Sequence, residues 1–289
     1  MAAEYSNVNH MGLRPHVALW QTTRFQLDVS QPLVMGILNV TPDSFSDASS
    51  HHSLDATISR AKKMVDEGAD IVDVGGESSR PGAQALTAEE EWSRVGPVIQ
   101  ELVKWDIPLS IDTYHPESMK RALDIGVDIV NDIWALRQDG ALQAVAPSSC
   151  GICLMHMQGE PSTMQLNPLS QGVMVVLNEF FTSQLSRTDA MGIHRSRVVI
   201  DPGIGFGKTV SQNFEILQRQ SNLLALGATL MVGWSNKSSL GLVSGLPVER
   251  RLVPSISAAI LAVERGARVL RVHAVAETVA ALSVWKAGR

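Results

Sequence analysis

Short apolar runs recur along the chain, and most of them end on a single polar residue. Residues 198–201 show the pattern: Val198, Val199 and Ile200 run into Asp201, and Pro202 with Gly203, Gly205 and Gly207 follow before the polar segment resumes at Lys208. Three β-branched residues that empty into a carboxylate and a turn read as a buried strand with a polar C-terminal end. The same event closes residues 33–40 near Asn39, 70–74 at Asp73, 108–112 at Asp112, 129–132 at Asn131, 151–156 at His156 and 268–273 at Arg271. An eighth run, 228–233, leads into Trp234, Ser235, Asn236 and Lys237.

Between these runs the period changes to that of a helix. Leu54, Ile58, Ala61 and Val65 share one face and stop at Gly68. Thr87 followed by Glu90 predicts a capping box at the head of a helix carrying Trp92, Val95, Val98, Ile99 and Leu102. Further helices are predicted over 116–125 before Gly126, more weakly over 141–146, and through Val173, Val176, Leu177, Phe180 and Phe181. Others carry Phe214 with Leu217, Ile256 with Ile260 and Val263 before Gly266, and Val275 with Val279 and Leu282. Eight strand-helix units predict the α/β class and one (β/α)8 TIM barrel, which takes about 250 residues. A doubly wound open sheet would leave the polar strand ends unexplained. The barrel is expected over 33–289. Residues 1–32 precede it as a leader, with a hairpin strand over 17–29 that plugs the barrel bottom.

Composition narrows the partners. Of 289 residues, 45% are apolar and 18% charged, which fits a globular domain and disfavours disorder. The 24 Lys and Arg against 29 Asp and Glu, with no basic block, argue against a nucleic-acid or membrane partner. No signal peptide or long apolar span is visible, so the expected compartment is the cytoplasm. Cys150 and Cys153 have C-x-x-C spacing, but no second pair completes a metal site and Cys153 lies in an apolar run, so both are expected to be buried structural thiols.

A parallel barrel would bring Asn39, Asp73, Asp112, Asn131, Asp201, Lys237, Arg271 and His273 to one face. Carboxylates and an amide can read the N–H edge of a heterocycle, because a guanidine-like N–H pair matches a carboxylate in two parallel hydrogen bonds. Lys237 can meet ring acceptors, and Arg271 with His273 can hold an anion or cover an aromatic ring. Plainer alternatives stand beside these: Asp112 and Asp201 as helix caps, Arg271 and His273 as a solvated pair, His156 as the end of a core strand, His51 and His52 in a solvated loop. Gly203, Gly205 and Gly207 match no phosphate-loop motif fully. The polar connections over 41–50 and 75–82 are long for βα loops, which suggests function.

The motifs resemble a known family. Residues 35–47, MGILNVTPDSFSD, and 73–82, DVGGESSRPG, are similar to the two N-terminal signatures of dihydropteroate synthases. Ser110 to Thr113, Val130 to Ile133, Leu154 to Met157, Asp201 to Lys208, Ser235 to Ser238 and Arg271 to His273 agree in order, so the resemblance covers about 33–285. It implies condensation of 6-hydroxymethyl-7,8-dihydropterin pyrophosphate with p-aminobenzoate, giving 7,8-dihydropteroate in folate synthesis, with Mg²⁺ as cofactor, a homodimer and sulfonamides as inhibitors. By matching positions, Asp112, Asn131, Asp201 and Lys237 hold the pterin under Arg271. Asn39, Asp43, Ser44, Arg271 and His273 receive the pyrophosphate, with Asn39 on the metal. Ser79, Arg80, Pro81, Phe206, Lys237 and Ser238 shape the p-aminobenzoate pocket, and catalysis falls to Asp112, Lys237, Arg271 and His273. The chain departs from the family pattern at Ala48-Ser49, Ser79, Asn236 and Ala274, none of which is a deleted contact. A catalytically weak pterin-binding paralogue and a pterin-dependent methyltransferase barrel are the alternatives.

Overall fold

A computed structural model describes residues 19–40, 50–77, 85–160, 163–164, 168–170 and 172–288, without the side chains of 50–53. Eight parallel strands close into a barrel in chain order, the last pairing with the first. They are β3 (Leu33–Asn39), β4 (Ile71–Gly75), β5 (Leu109–Asp112), β6 (Ile129–Asp132), β7 (Gly151–Met155), β8 (Val198–Asp201), β9 (Thr229–Val232) and β10 (Ala267–Val272). Each run read as a strand is one, within a residue or two.

The strands are apolar on both faces because both are covered. Val72, Val74, Ile111, Val130, Ile152, Leu154, Ile200, Leu230 and Leu270 point outward into one cluster with the helices. Met35, Ile71, Ile129, Cys153, Val199, Met231 and Val269 fill the lower barrel interior. Side chains alternate along a strand, so the inward position two residues further on is Asp73 after Ile71, Asn131 after Ile129, Asp201 after Val199 and Arg271 after Val269. The apolar layer is thus a floor beneath the polar strand ends.

The surrounding helices are α1 (Ser50–Asp66), α2 (Ala88–Leu102), α3 (Pro116–Asp124), α4 (Ala141–Val145), α5 (Val173–Ala190), α6 (Val210–Arg219), α7 (Ser238–Ser244), α8 (Leu252–Glu264) and α9 (Val275–Ala287). Thr87 and Glu90 form the predicted capping box, and a second one, Thr209 with Gln212, heads α6. Gly68, Gly126 and Gly266 take φ of 95°, 100° and 94° just beyond their helices, a region where glycine carries no Cβ penalty. The sequence pattern does not predict α7, whose seven residues include Gly241 and three serines.

Two short strands precede the barrel and pair antiparallel, β1 (Leu19–Gln21) with β2 (Gln26–Asp28). Trp20, 1% exposed, packs into the lower interior layer, and its Nε1 donates to Arg197 O at 3.0 Å just before β8. Arg24 reaches the buried Asp128 at the head of β6 (2.6 Å) and donates to the carbonyls of Val103 and Trp105. This hairpin closes the end of the barrel opposite the polar residues. Among the described residues no helix is long and apolar enough to cross a membrane. Cys150 and Cys153 are buried and unpaired, and burial raises both thiols, leaving them poor nucleophiles.

Candidate active site

The strand ends meet in an ion-paired network centred on Asp73. This carboxylate is fully buried; its Oδ2 accepts from Arg271 Nε at 2.6 Å and from Asn131 Nδ2 at 3.1 Å. Arg271 Nη2 also donates to Asp112 Oδ2 at 2.6 Å, so one guanidinium spans two carboxylates from β4 and β5. The register explains the meeting: Gly75 lies beside Asp112 and Asp112 beside Asn131 on adjacent strands. Asp73 Oδ1 is buried and finds no hydrogen-bond partner among the described residues. Sequence reasoning placed Asp73 on this face without giving it a role; its parity with Ile71 was the available signal.

On the other side of the mouth, Asp201 Oδ1 accepts from Gly203 N at 2.7 Å. Neither Asp112 nor Asp201 caps a helix, because α3 begins after His115 and α6 is capped by Thr209. Lys237 Nζ lies 4.4 Å from the centroid of Phe206, a cation–π contact that joins the β8 and β9 loops. Phe206 packs with Ile133, Met155, Met157 and Met164 in an apolar cluster edged by Tyr114 and Trp134. Ser238 starts α7 and is exposed, beside a cleft of about 230 Å³ lined by Gly205, Lys208, Thr209, Asn213 and Ser239.

The glycine-rich turn is shaped by close approach rather than by phosphate. A Cβ on Gly203 would fall 2.0 Å from His156 O, and one on Gly207 2.5 Å from Gln158 O. Lys208, 3% exposed, ties this turn to β7 by donating to His156 O (3.2 Å), Gly203 O (2.9 Å) and Phe206 O (3.1 Å). His156 itself is a core residue, its ring edge-on to Phe180 at 4.8 Å. Burial and the nearby Lys208 and Arg137 push its pKa down to about 2, so it stays neutral.

Arg271 and His273 stand at the end of β10 with different partners. Arg271 turns into the network, whereas His273 is exposed and its Nδ1 lies 2.9 Å from Ser235 Oγ. Asn39 ends β3 half-buried, and its carbonyl accepts from Arg60 Nη2 at 2.8 Å. Asp43, Ser44, His51, His52, Ser79, Arg80 and Pro81 lie outside the described residues or side chains. A separate group, Glu77, Glu91 and His115, sits beyond the end of β4. Glu77 Oε1 and Oε2 accept from Tyr114 at 3.1 Å and Glu91 Oε2 from Thr113 at 2.7 Å. Glu77 raises the pKa of His115, against its burial, and the three side chains lie close together.

Burial dominates the titration of the mouth. It pushes Asp112 up to about 7, against the pull of Arg271, and it raises Asp201 against the Gly203 N–H and Lys237. Burial also lowers Lys237 to about 8, against Asp201. It works against charge on Arg271 too, but Asp73 and Asp112 more than compensate and raise its pKa.

These features define a (β/α)8 enzyme whose site lies at the C-terminal face of the barrel, where carboxylates and cations alternate above an apolar floor. A family profile described as pterin binding enzyme matches residues 35–273. The dihydropteroate synthase of Escherichia coli K12 is 43% identical over 262 residues, 90% of this chain and 93% of that one. The Yersinia pestis dihydropteroate synthase, in a structure with a sulfonamide drug complex, superposes with a TM-score of 0.88 at 40% identity, covering 94% of this chain and 99% of that one. The Burkholderia cenocepacia enzyme complexed with 7,8-dihydropteroate gives 0.85 at 43% identity, over 94% and 96%. The chain belongs to the pterin-binding enzymes and, within them, to the dihydropteroate synthases, which are transferases of folate biosynthesis.

Proposed function

We propose that the ion-paired mouth binds 6-hydroxymethyl-7,8-dihydropterin pyrophosphate and joins it to p-aminobenzoate, with the pterin held by Asp112, Asn131, Asp201 and Lys237 beneath Arg271. The observation that carries this reading is the complementary set of groups at one height of the barrel. Asp201 offers a carboxylate to the amino-pyrimidine N–H pair, and Lys237 offers a donor to the ring acceptors. Asp73 Oδ1, buried and without a hydrogen-bond partner among the described residues, supports an acceptor still open in the network. Phe206, Lys237 and Ser238, beside the cleft near α7, form the p-aminobenzoate side together with Ser79, Arg80 and Pro81.

The reaction needs no side-chain nucleophile. The C–O bond between the pterin methylene and pyrophosphate breaks, its electron pair leaves with the pyrophosphate, and the positive charge spreads into the pterin. Asp112 faces that charge, while Arg271 and His273 face the departing anion. The amine nitrogen then forms the C–N bond and releases its proton. Asn39 fits Mg²⁺ only in company with substrate: it offers one neutral oxygen, and Mg²⁺ takes most of its ligands from water and phosphates. When bound with Asn39, Asp43 and Ser44, the ion would neutralise pyrophosphate charge.

Asp201→Asn retains an acceptor for Gly203 N but loses the carboxylate. Pterin pyrophosphate binding, measured by calorimetry, is expected to weaken about 10- to 100-fold, the equivalent of a charged hydrogen bond of roughly 1.5–3 kcal/mol. Unchanged affinity would remove Asp201 from the pterin site. The titrations above also give a pH signature. Asp112 gains its charge as pH rises through about 7, and Lys237 loses its charge as pH rises through about 8. The profile of kcat/KM for the pterin substrate is therefore expected to rise on the acid side and fall on the alkaline side, and a flat profile across both limbs would contradict these roles.

The exposed Leu242 (72%), Val243 (65%), Val253 (72%) and Val284 (75%) on α7, α8 and α9 support a homodimer through this face.

A further inference from the structure

The turn after β6 is held in a conformation that its residues disfavour. Ala135 and Leu136 are neighbours, both at positive φ, 54° and 57°, and neither is glycine. Both are buried, and strain of this kind persists only where the surroundings over-determine it. Here one side chain does so. Asp132, fully buried at the end of β6, accepts from Trp134 N through Oδ1 and from Leu136 N through Oδ2, each at 2.7 Å. Its own carbonyl accepts from Ala135 N at 3.0 Å, and Arg187 Nη2 holds Leu136 O at 3.3 Å. The guanidinium of Arg137 covers the Trp134 ring at 5.1 Å.

The turn fixes what lies beside the mouth. Asn131, whose amide bonds to Asp73, precedes Asp132, and Ile133 follows it into the apolar cluster that contains Phe206. A turn serving only to connect β6 to α4 would be relaxed by a glycine at 135, and the chain keeps alanine with a carboxylate clamp instead. We propose that Asp132 is a positioning residue: its two-point clamp on the strained Ala135–Leu136 turn sets Asn131 as one edge of the pterin site. This rests on the pterin occupying that mouth.

The test is the affinity of the folded protein for the dihydropterin pyrophosphate, read by calorimetry well below the melting temperature, together with the KM for p-aminobenzoate at saturating pterin. Asp132→Asn sets an amide donor against one of the two N–H groups, and is expected to weaken pterin binding about tenfold while the p-aminobenzoate KM moves less than twofold. Ala135→Gly added to Asp132→Asn relaxes the turn and is expected to recover most of the lost affinity, and this double variant also serves if the single one does not fold. Parental pterin affinity in Asp132→Asn, equal change in both substrates, or no recovery with Ala135→Gly would overturn the clamp. Failure of the parent chain to bind the pterin would instead overturn the reading of the mouth.

Discussion

Arg271→Met is expected to abolish measurable condensation and to destabilise the barrel at the same time. The guanidinium is the one cation hydrogen-bonded to both Asp73 and Asp112 among the described residues, and Asp73 has no access to solvent. Removing one partner of a buried pair typically costs about 3–5 kcal/mol, because the remaining charge is left in a poor solvent. Asp112, raised by burial to about 7 even against the pull of Arg271, then takes up a proton more readily as the chain folds. The sign follows: a folded state that binds more protons than the unfolded chain loses stability as pH rises, so the deficit in urea denaturation should widen from acid to neutral pH. Catalysis loses the charge opposite the leaving pyrophosphate, an effect of about 10²–10³-fold in kcat, added to weaker pterin binding. Arg271→Lys should recover part of the stability and little of the rate, since an ammonium cannot span both carboxylates as the planar fork does. A stable, active methionine variant would show that the ion-paired network is incidental.

Lys208→Met is also expected to cost stability, for a different reason. Its ammonium donates to three buried carbonyls, those of His156, Gly203 and Phe206, that fasten the β8 loop to the end of β7. The methionine fills similar space but donates nothing; Gly203 O keeps Phe206 N at 3.1 Å and Phe206 O keeps Gln158 N at 3.5 Å, so the unsatisfied-oxygen penalty falls on His156 O, and a loss of about 1–3 kcal/mol is expected by denaturation. The functional consequence is local. Gly203 orients Asp201, and Phe206 carries Lys237, so both substrates should bind more weakly in the variant. Wild-type stability would mean that the glycine turn holds its shape without the lysine.

The barrel was legible because its strands are buried on both faces and each breaks into polar residues at the same end. The helices were legible where Thr87 and Glu90, or a glycine such as Gly68, mark their ends by local chemistry. Much less legible were the connections within the site. Asp73 looked like one polar strand end among several, and its central place comes from closure of the barrel, which brings β10 against β3 and so Arg271 across to it. Gly203, Gly205 and Gly207 resembled a phosphate loop only weakly, and nothing in that spacing showed that Lys208 beside them donates to His156 O, 52 residues away, as well as to Gly203 O and Phe206 O. Arg271 and His273, two apart at the end of β10, gave no sign in the sequence of their separate partners, Asp73 and Asp112 for the arginine and Ser235 for the histidine. Distances of this kind depend on register between distant strands, and no single stretch of sequence encodes them. The short α7 was missed because a helix of seven residues is held by packing rather than by propensity.

The most direct test is product formation by the purified chain. Incubated with 6-hydroxymethyl-7,8-dihydropterin pyrophosphate, Mg²⁺ and p-aminobenzoate, it is predicted to release 7,8-dihydropteroate and pyrophosphate in equal amounts over many turnovers. Tight pterin binding with no dihydropteroate would contradict the account and leave a pterin-binding protein without the transferase reaction.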